Sequence, residues 1–245
     1  MTRPWERPPR ELRILAREAH VWMLSTDASE AQVRRLAGLL SEEERTRAER
    51  IRHDATRSGF VATRWALRSL LGRYLGGDPA GLRLQYSTRG KPALDALHGE
   101  ELHFSVAHSG GIALLAFARA EVGIDVERVR RLAREGRVTE RLFAGPTRAL
   151  LESLPAAQRR EAFFAAWTQR EALVKAVGGA LMVTRDPLDF EWPRQPGPRI
   201  HRVPHDDGRE VCWTVAVIPH EIGFAATLVT AGELDEVRHW RFDGD

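Results

Sequence analysis

Four short segments carry residues whose types and spacing suit phosphate and metal chemistry. In Val122-Gly123-Ile124-Asp125-Val126-Glu127 polar and apolar residues alternate as they do along a strand. Val122, Ile124 and Val126 then share one face, suited to a core. Asp125 and Glu127 share the other, about 7 Å apart along the strand. The longer glutamate can lean back, so both carboxylates can reach one cation. Oxygen donors suit Mg²⁺, which also keeps waters and substrate phosphates in its shell. The same hexapeptide reads equally as an ordinary strand with a solvated acidic face. The residues alone leave both readings open.

The second segment runs Trp167-Thr168-Gln169-Arg170-Glu171-Ala172-Leu173-Val174-Lys175. Its spacing puts Trp167, Glu171 and Lys175 on one side of a helix. Glu171 and Lys175 are either an ordinary surface pair, worth a few tenths of a kcal/mol, or a third carboxylate and a phosphate ligand. Trp167 reads first as a packing residue. In Phe104-Ser105-Val106-Ala107-His108-Ser109-Gly110-Gly111 a histidine stands at a strand end beside serine and two glycines. There its ring is exposed and backbone amides open towards an anion, although a lone histidine also serves as a plain surface residue. Arg89-Gly90-Lys91-Pro92 is a short basic turn that says little by itself.

Other chemistries find no support. The sequence has no P-loop and no Gly-rich dinucleotide fingerprint after a strand. It has no GxSxG or HExxH motif. His201 and His205 are four apart, but in a proline-rich stretch with no third ligand. Cys212 is the single cysteine, which excludes an intramolecular disulfide and a cysteine metal cluster.

The elements that must hold these segments can be read from periodicity. Ala19 to Ser25 reads as a strand, and Ser29 to Leu40 has helical spacing. Ser41 followed by Glu44 is a capping box that starts another helix. A long helix is expected from about Asp54 to Leu75, ending at Gly76-Gly77 with Pro79 beyond. Leu82 to Ser87 alternates. Leu102 to Ala107 and Ile112 to Ala118 read as a hairpin joined by His108-Ser109-Gly110-Gly111. Val122 to Val126 is a further strand, and helices dominate from about Arg137 to Val177. The catalytic-looking helix starts near Pro155 and stops at Gly178-Gly179. Val211 to Ile218 and Ile222 to Val229 read as a second hairpin, and Val237 to Phe242 as a short strand. Gln195 to Asp207 is expected to be an exposed loop, given Pro196, Pro198 and Pro204. Each half therefore reads as helices followed by a hairpin. The expectation is an α+β fold of two similar halves, residues 1–120 and 121–245, with the site in the cleft between them.

Composition sets the frame. The chain of 245 residues is 43% hydrophobic and 29% charged, with a net charge of +3, which excludes a membrane-embedded or disordered chain. Its apolar runs are too short to span a bilayer, and the Arg-, Glu- and Pro-rich start shows no signal peptide. A cytoplasmic protein is expected. The basic residues are almost all arginine; the two lysines, Lys91 and Lys175, both fall inside the segments above. The arginine content alone would also fit a nucleic-acid-binding protein, which predicts salt-dependent binding, but no basic-aromatic motif supports it.

Taken in order, Gly90-Lys91-Pro92, Phe104 to Gly110, Gly123-Ile-Asp125-Val-Glu127 and Trp167 to Lys175 resemble the motif series of the 4′-phosphopantetheinyl transferases of the surfactin-synthetase-activating type. The motifs span roughly residues 41 to 181. The resemblance implies a monomer of two pseudo-symmetric α+β subdomains with coenzyme A between them. It implies transfer of phosphopantetheine from coenzyme A to a serine of an apo acyl- or peptidyl-carrier protein, with Mg²⁺ as cofactor and no nucleic acid or membrane partner. Asp125, Glu127 and Glu171 match the metal-binding acids. Lys175 and Arg170 match the basic positions of the helix motif at the phosphates. His108 and Ser109, Lys91 and Pro92, and Arg57 before the long helix match coenzyme A contacts. Glu171, or a water held by the metal, is the expected base, with Asp125 and Lys175 completing the catalytic set. Arg130, Arg131, Arg134 and Arg137 either meet an acidic carrier or are simply solvated. The sequence departs from the pattern at Arg170 (usually Lys), Ala107 (often Ser, whose hydroxyl contact would be lost), Thr147 (often an acid) and Ala180 (usually Gly). A binding module that has lost transfer is the alternative, and the intact acids speak against it.

Overall fold

Alternation and helical spacing become ten strands and six helices among the described residues. The structure is a computed structural model that describes residues 5–86, 90–95, 102–132, 135–178, 188–204, 210–219 and 223–244. The first strand, β1 (Glu18–Ser25), is central to a four-stranded sheet. Helices α1 (Glu30–Ala37), α2 (Glu42–Glu49) and α3 (Asp54–Leu75) follow it. The Ser41–Glu44 capping box that starts α2 is formed as the sequence predicts. Two short strands, β2 (Leu84–Tyr86) and β3 (Pro92–Leu94), pair only with each other. The hairpin β4 (His103–Ser109) and β5 (Ile112–Ala118) completes this side of the first sheet, β5 pairing antiparallel to β1. Its loop is tighter than expected, because Gly110 and Gly111 alone make the turn with φ of 58° and 92°. Two successive positive φ angles suit a two-residue hairpin turn that glycine enters without strain.

The second sheet has the order β6 (Val122–Arg128), β9 (Phe224–Ala231), β8 (Glu210–Val217), β7 (Pro198–Pro204), all antiparallel. Between β6 and β7 come α4 (Glu135–Leu142), α5 (Gly145–Ser153) and α6 (Ala156–Ala176). The loop expected over residues 195–207 is corrected here: it holds strand β7, paired to β8 from Pro198 to Pro204. Its prolines lie at the two ends of an edge strand, where a missing N–H costs no ladder bond. The final strand, β10 (Glu236–Arg241), runs parallel to β1 and so lies in the first sheet. Residues 236–241 thus sit with the N-terminal elements, away from the neighbours that precede them in sequence.

The packing is a stack of four layers. One face of the first sheet offers Trp22, Leu115 and Phe117 to Leu67, Leu70 and Leu71 of α3. The other face, with Val21, Leu114 and Ala116, meets Val122, Ile124 and Val126 of the second sheet. Behind that sheet, Val215 and Val229 pack on Ala172, Leu173 and Ala176 of α6. Each of the fully buried large side chains contributes about 1.5–3 kcal/mol. A buried ion pair, Arg68 Nε to Glu44 Oε2 at 2.6 Å, ties α3 to α2. The same arginine donates to the carbonyls of Pro79 and Leu82 and holds the turn beyond α3.

Candidate active site

The site is built on β6 and α6. Gly123 lets them meet: a Cβ there would stand 1.9 Å from the carbonyl oxygen of Ala172 and 2.5 Å from the amide of Ala176. With no side chain at 123, α6 lies directly on β6. That closeness brings Lys175, on the last turn of α6, to Asp125, with Nζ 2.8 Å from Oδ1.

Asp125 is 7% exposed. Burial pushes its carboxyl up to about 6, against the opposing pull of the Lys175 ammonium, and Glu127 and Glu171 add to the rise. Its second oxygen, Oδ2, is buried with no hydrogen-bond partner. A buried carboxylate oxygen left unpaired is costly unless something positive meets it. Glu127 is fixed by Ser109, whose hydroxyl donates to Oε2 at 2.9 Å and accepts from the amide of Arg128 at 3.1 Å. Glu171 is a third exposed and accepts from Arg170 Nη1 at 2.8 Å.

This donor set fits Mg²⁺. The groups are hard oxygens on neighbouring elements, and one buried oxygen lacks a partner. Among the described residues no three acids or histidines form a ready-made cage. Mg²⁺ commonly takes one or two carboxylates and completes its shell with water and substrate phosphate.

The β6 strand is an edge of its sheet, and β4 is an edge of the other. No backbone ladder joins them among the described residues. Side chains bridge the gap instead. Ser105 Oγ of β4 accepts from the Ile124 amide at 3.1 Å. Lys175 Nζ donates to the carbonyls of Ile124 at 3.0 Å and Val106 at 3.4 Å. Lys91 Nζ donates to the carbonyl of Val122 at 3.3 Å and to that of Lys175.

Beside this seam lies a cleft of roughly 340 Å³, lined by Lys91, Pro92, His108 and Lys175 together with Arg47, Phe60, Thr63, Arg64 and Ser105. Of the site residues singled out by sequence, the cleft is thus lined by Lys91, Pro92, His108 and Lys175, and Asp125 adjoins it through Lys175. His108 stands exposed at the mouth, where partial burial and then the Lys175 ammonium hold its imidazole below the ordinary value. Burial likewise lowers Lys91. Arg57 is not brought to the cleft. It pairs with Asp54, donates to the Ile51 carbonyl and lines a separate hollow beside α1. Arg64, seven residues on and about 10 Å further along the helix, takes the place at the cleft. Its guanidinium lies between the rings of Phe60 and Tyr86, 5.4 and 5.6 Å from their centroids. Its Nη1 is buried without a partner. Sequence reading missed Arg47, Phe60 and Arg64. Phe60 and Arg64, four apart on α3, were a usable signal, because basic and aromatic residues at that interval share a helix face; Arg47 stands on α2.

The positions that depart from the motif pattern sit as follows. Ala107 is buried between the two sheets, on the strand face opposite His108. Thr147 is buried in α5, and Arg148 pairs with Glu152. Arg130, Arg131 and Arg137 are exposed, whereas Arg134 and Ala180 lie outside the described residues.

Comparison with known proteins gives a consistent picture. A family profile described as the 4′-phosphopantetheinyl transferase superfamily matches residues 121–231, which hold β6 and α6. The 4′-phosphopantetheinyl transferase HetI of Nostoc sp. is 32% identical over 241 residues, covering 97% of this chain and 98% of that protein. A putative 4′-phosphopantetheinyl transferase of Synechocystis sp. is 33% identical over 66% of this chain and 65% of its own length. The 4′-phosphopantetheinyl transferase Sfp of Bacillus subtilis is 25% identical over 66% of this chain and 69% of its own length.

Proposed function

The chain belongs to the 4′-phosphopantetheinyl transferase superfamily, and from that premise we propose that it transfers phosphopantetheine from coenzyme A to a serine of an apo acyl- or peptidyl-carrier protein, with Mg²⁺. The observation that carries the reading is the buried Asp125 with its unpartnered oxygen, paired with Lys175, which lines a cleft rich in cations. Asp125, Glu127 and Glu171 would hold the metal. Bound there, it neutralises pyrophosphate charge as the leaving group departs.

The chain's own residues do the rest. Arg47, Arg64 and His108 receive the anionic nucleotide end, and Phe60 and Pro92 offer apolar surface to it. Lys175 and Arg170 place positive charge beside the acids, where charge grows in the transition state. Serine oxygen attacks the phosphorus that bears pantetheine, and the bond from that phosphorus to the oxygen of 3′,5′-ADP breaks. Glu171, partly exposed, is the side chain in position to accept the serine proton. Ser109 orients Glu127. Arg57 has no part in this scheme unless the nucleotide reaches the hollow beside α1.

The surfactin-synthetase-activating type, a monomer of two halves over residues 1–120 and 121–245 with β10 of the second crossing into the first sheet, is part of the proposal. Its support is the alignment with HetI over nearly the whole of both chains, and the matching hairpins β4–β5 and β8–β9. A cytoplasmic location goes with it; no helix among the described residues is long and apolar enough to cross a membrane.

The test is intact-mass analysis of apo-carrier proteins after incubation with the protein, coenzyme A and Mg²⁺, with an EDTA control. A metal-dependent gain of one phosphopantetheine is expected. No gain on fatty-acid, polyketide or peptide carriers, from folded protein that still binds coenzyme A, would favour a binding module instead.

A further inference from the structure

We propose that Lys91 is a positioning residue. Its ammonium ties the turn on one wall of the cleft to the start of β6 and the end of α6, and so sets where Asp125 and Lys175 stand. The inference rests on the transfer function proposed above, and it gives this lysine a task other than gripping phosphate.

The geometry is that of a strut. Lys91 stands between Gly90 and β3, on the N-terminal side of the cleft. Its side chain crosses to the other half and donates to two main-chain oxygens, those of Val122 and Lys175. Among the described residues neither oxygen has both lone pairs engaged without it. The Val122 carbonyl lies on the β6 edge that no strand covers among the described residues. The Lys175 carbonyl lies in the last turn of α6 and, among the described residues, accepts one other bond, from the Gly178 amide at 3.2 Å. A cation there also meets the negative end of the helix.

Along the open edge of β6 the two lysines act in series. Lys91 takes the carbonyl of Val122, and Lys175 takes that of Ile124 two residues on. Lys175 has Asp125 as its second partner on that element and the Val106 carbonyl of β4 as a third. Lys91 holds the main chain of Lys175, and Lys175 holds the carboxylate. Displacing the first lysine shifts the second relative to the acids. The residue type fits the task. An ammonium is compact and spreads three donors between converging oxygens, whereas a guanidinium is a flat fork. In a chain that uses arginine for every other basic position, lysine occurs only at these two places.

The test uses the full chain and two variants, Lys91→Met and Lys91→Arg. Amide hydrogen exchange is read without substrate. In Lys91→Met, exchange over residues 122–126 and 173–178 is expected to rise about tenfold, with β1 and β5 unchanged. In the carrier assay kcat is expected to fall about tenfold or more while KM for coenzyme A stays within about threefold. The preference for coenzyme A over 3′-dephospho-coenzyme A should not change. Lys91→Arg is expected to lie near Lys91→Met, because the fork does not fit between the two oxygens.

A rise in KM with kcat and exchange unchanged overturns the proposal and makes Lys91 a phosphate ligand. Full rescue by arginine overturns it too, as does a rise in exchange spread evenly over both sheets. If the wild-type chain transfers nothing, the functional reading fails on its own, and the exchange arm still decides whether the strut exists.

Discussion

At the scale of single residues, the chemistry depends on one carboxylate being buried beside one ammonium. Asp125→Asn keeps the shape and removes the charge that the metal and Lys175 both use. Transfer is expected to drop at least about a thousandfold, by analogy with the loss of other electrostatic groups that act in a transition state. Intact-mass time courses check this, and a variant that keeps a tenth of the activity would remove Asp125 from the metal site. Ser109 acts one step back. Its hydroxyl joins Glu127 to the Arg128 amide across the seam, so Ser109→Ala leaves Glu127 free to turn. A several-fold fall in kcat and a loss of about 1 kcal/mol in urea unfolding are expected, the usual worth of a lost hydrogen bond. Unchanged Mg²⁺ dependence in that variant would mean that Glu127 needs no such support.

At the scale of elements, the decisive contact is β6 against α6. Gly123→Ala forces a methyl group into the main chain of the helix. The helix must lift, at a cost of about 3 kcal/mol, and Lys175 lifts with it. Urea unfolding and transfer should therefore fail together; a variant as stable as wild type would show that the helix can move without penalty. Much at this scale was legible beforehand. The capping box at Ser41, the span of α3, the paired hairpins and the alternation of β6 follow from local chemistry, and they appear as the sequence predicts. Strand β7 was hidden because prolines at its ends mimic a loop, and only its place at a sheet edge makes them harmless. The cleft residues of α3 were partly hidden because the sequence shows which side of a helix a residue occupies, whereas distance along it depends on where the cleft opens. Arg57 and Arg64 lie on similar sides, two turns apart. The partners of Lys91 were out of reach altogether, since main-chain oxygens leave no trace in a sequence.

At the scale of the whole molecule, β10 returns to close the first sheet against β1, and a buried polar network sits at that closure. Trp22 Nε1 donates to Tyr74 Oη at 2.9 Å, which leaves the tyrosine proton for His20 Nδ1 at 2.7 Å. His20 Nε2 then faces Glu18 Oε2 at 3.4 Å, and Glu18 also pairs with Arg238 of β10. Burial lowers His20 to about 4, against the pull of Glu18 in the other direction. The unfolded chain therefore binds a proton between its ordinary value of 6.5 and about 4 that the folded chain refuses. Stability is full above about pH 6.5 and is lost as pH falls, by roughly 2 to 3 kcal/mol at pH 4.5. Urea titrations at the two pH values check this, and His20→Gln should flatten most of the slope. A slope that survives the substitution would place the titration elsewhere. The closure by β10 also bears on the order in which the molecule can be made. A ribosome delivers residue 18 long before residue 236, so β1 emerges with one flank bare. It waits there, with Trp22 and His20 covered by α3 but lacking the Trp240 ring, while the whole of the second sheet is synthesised. The half of the protein that is translated first is thus the half that is finished last.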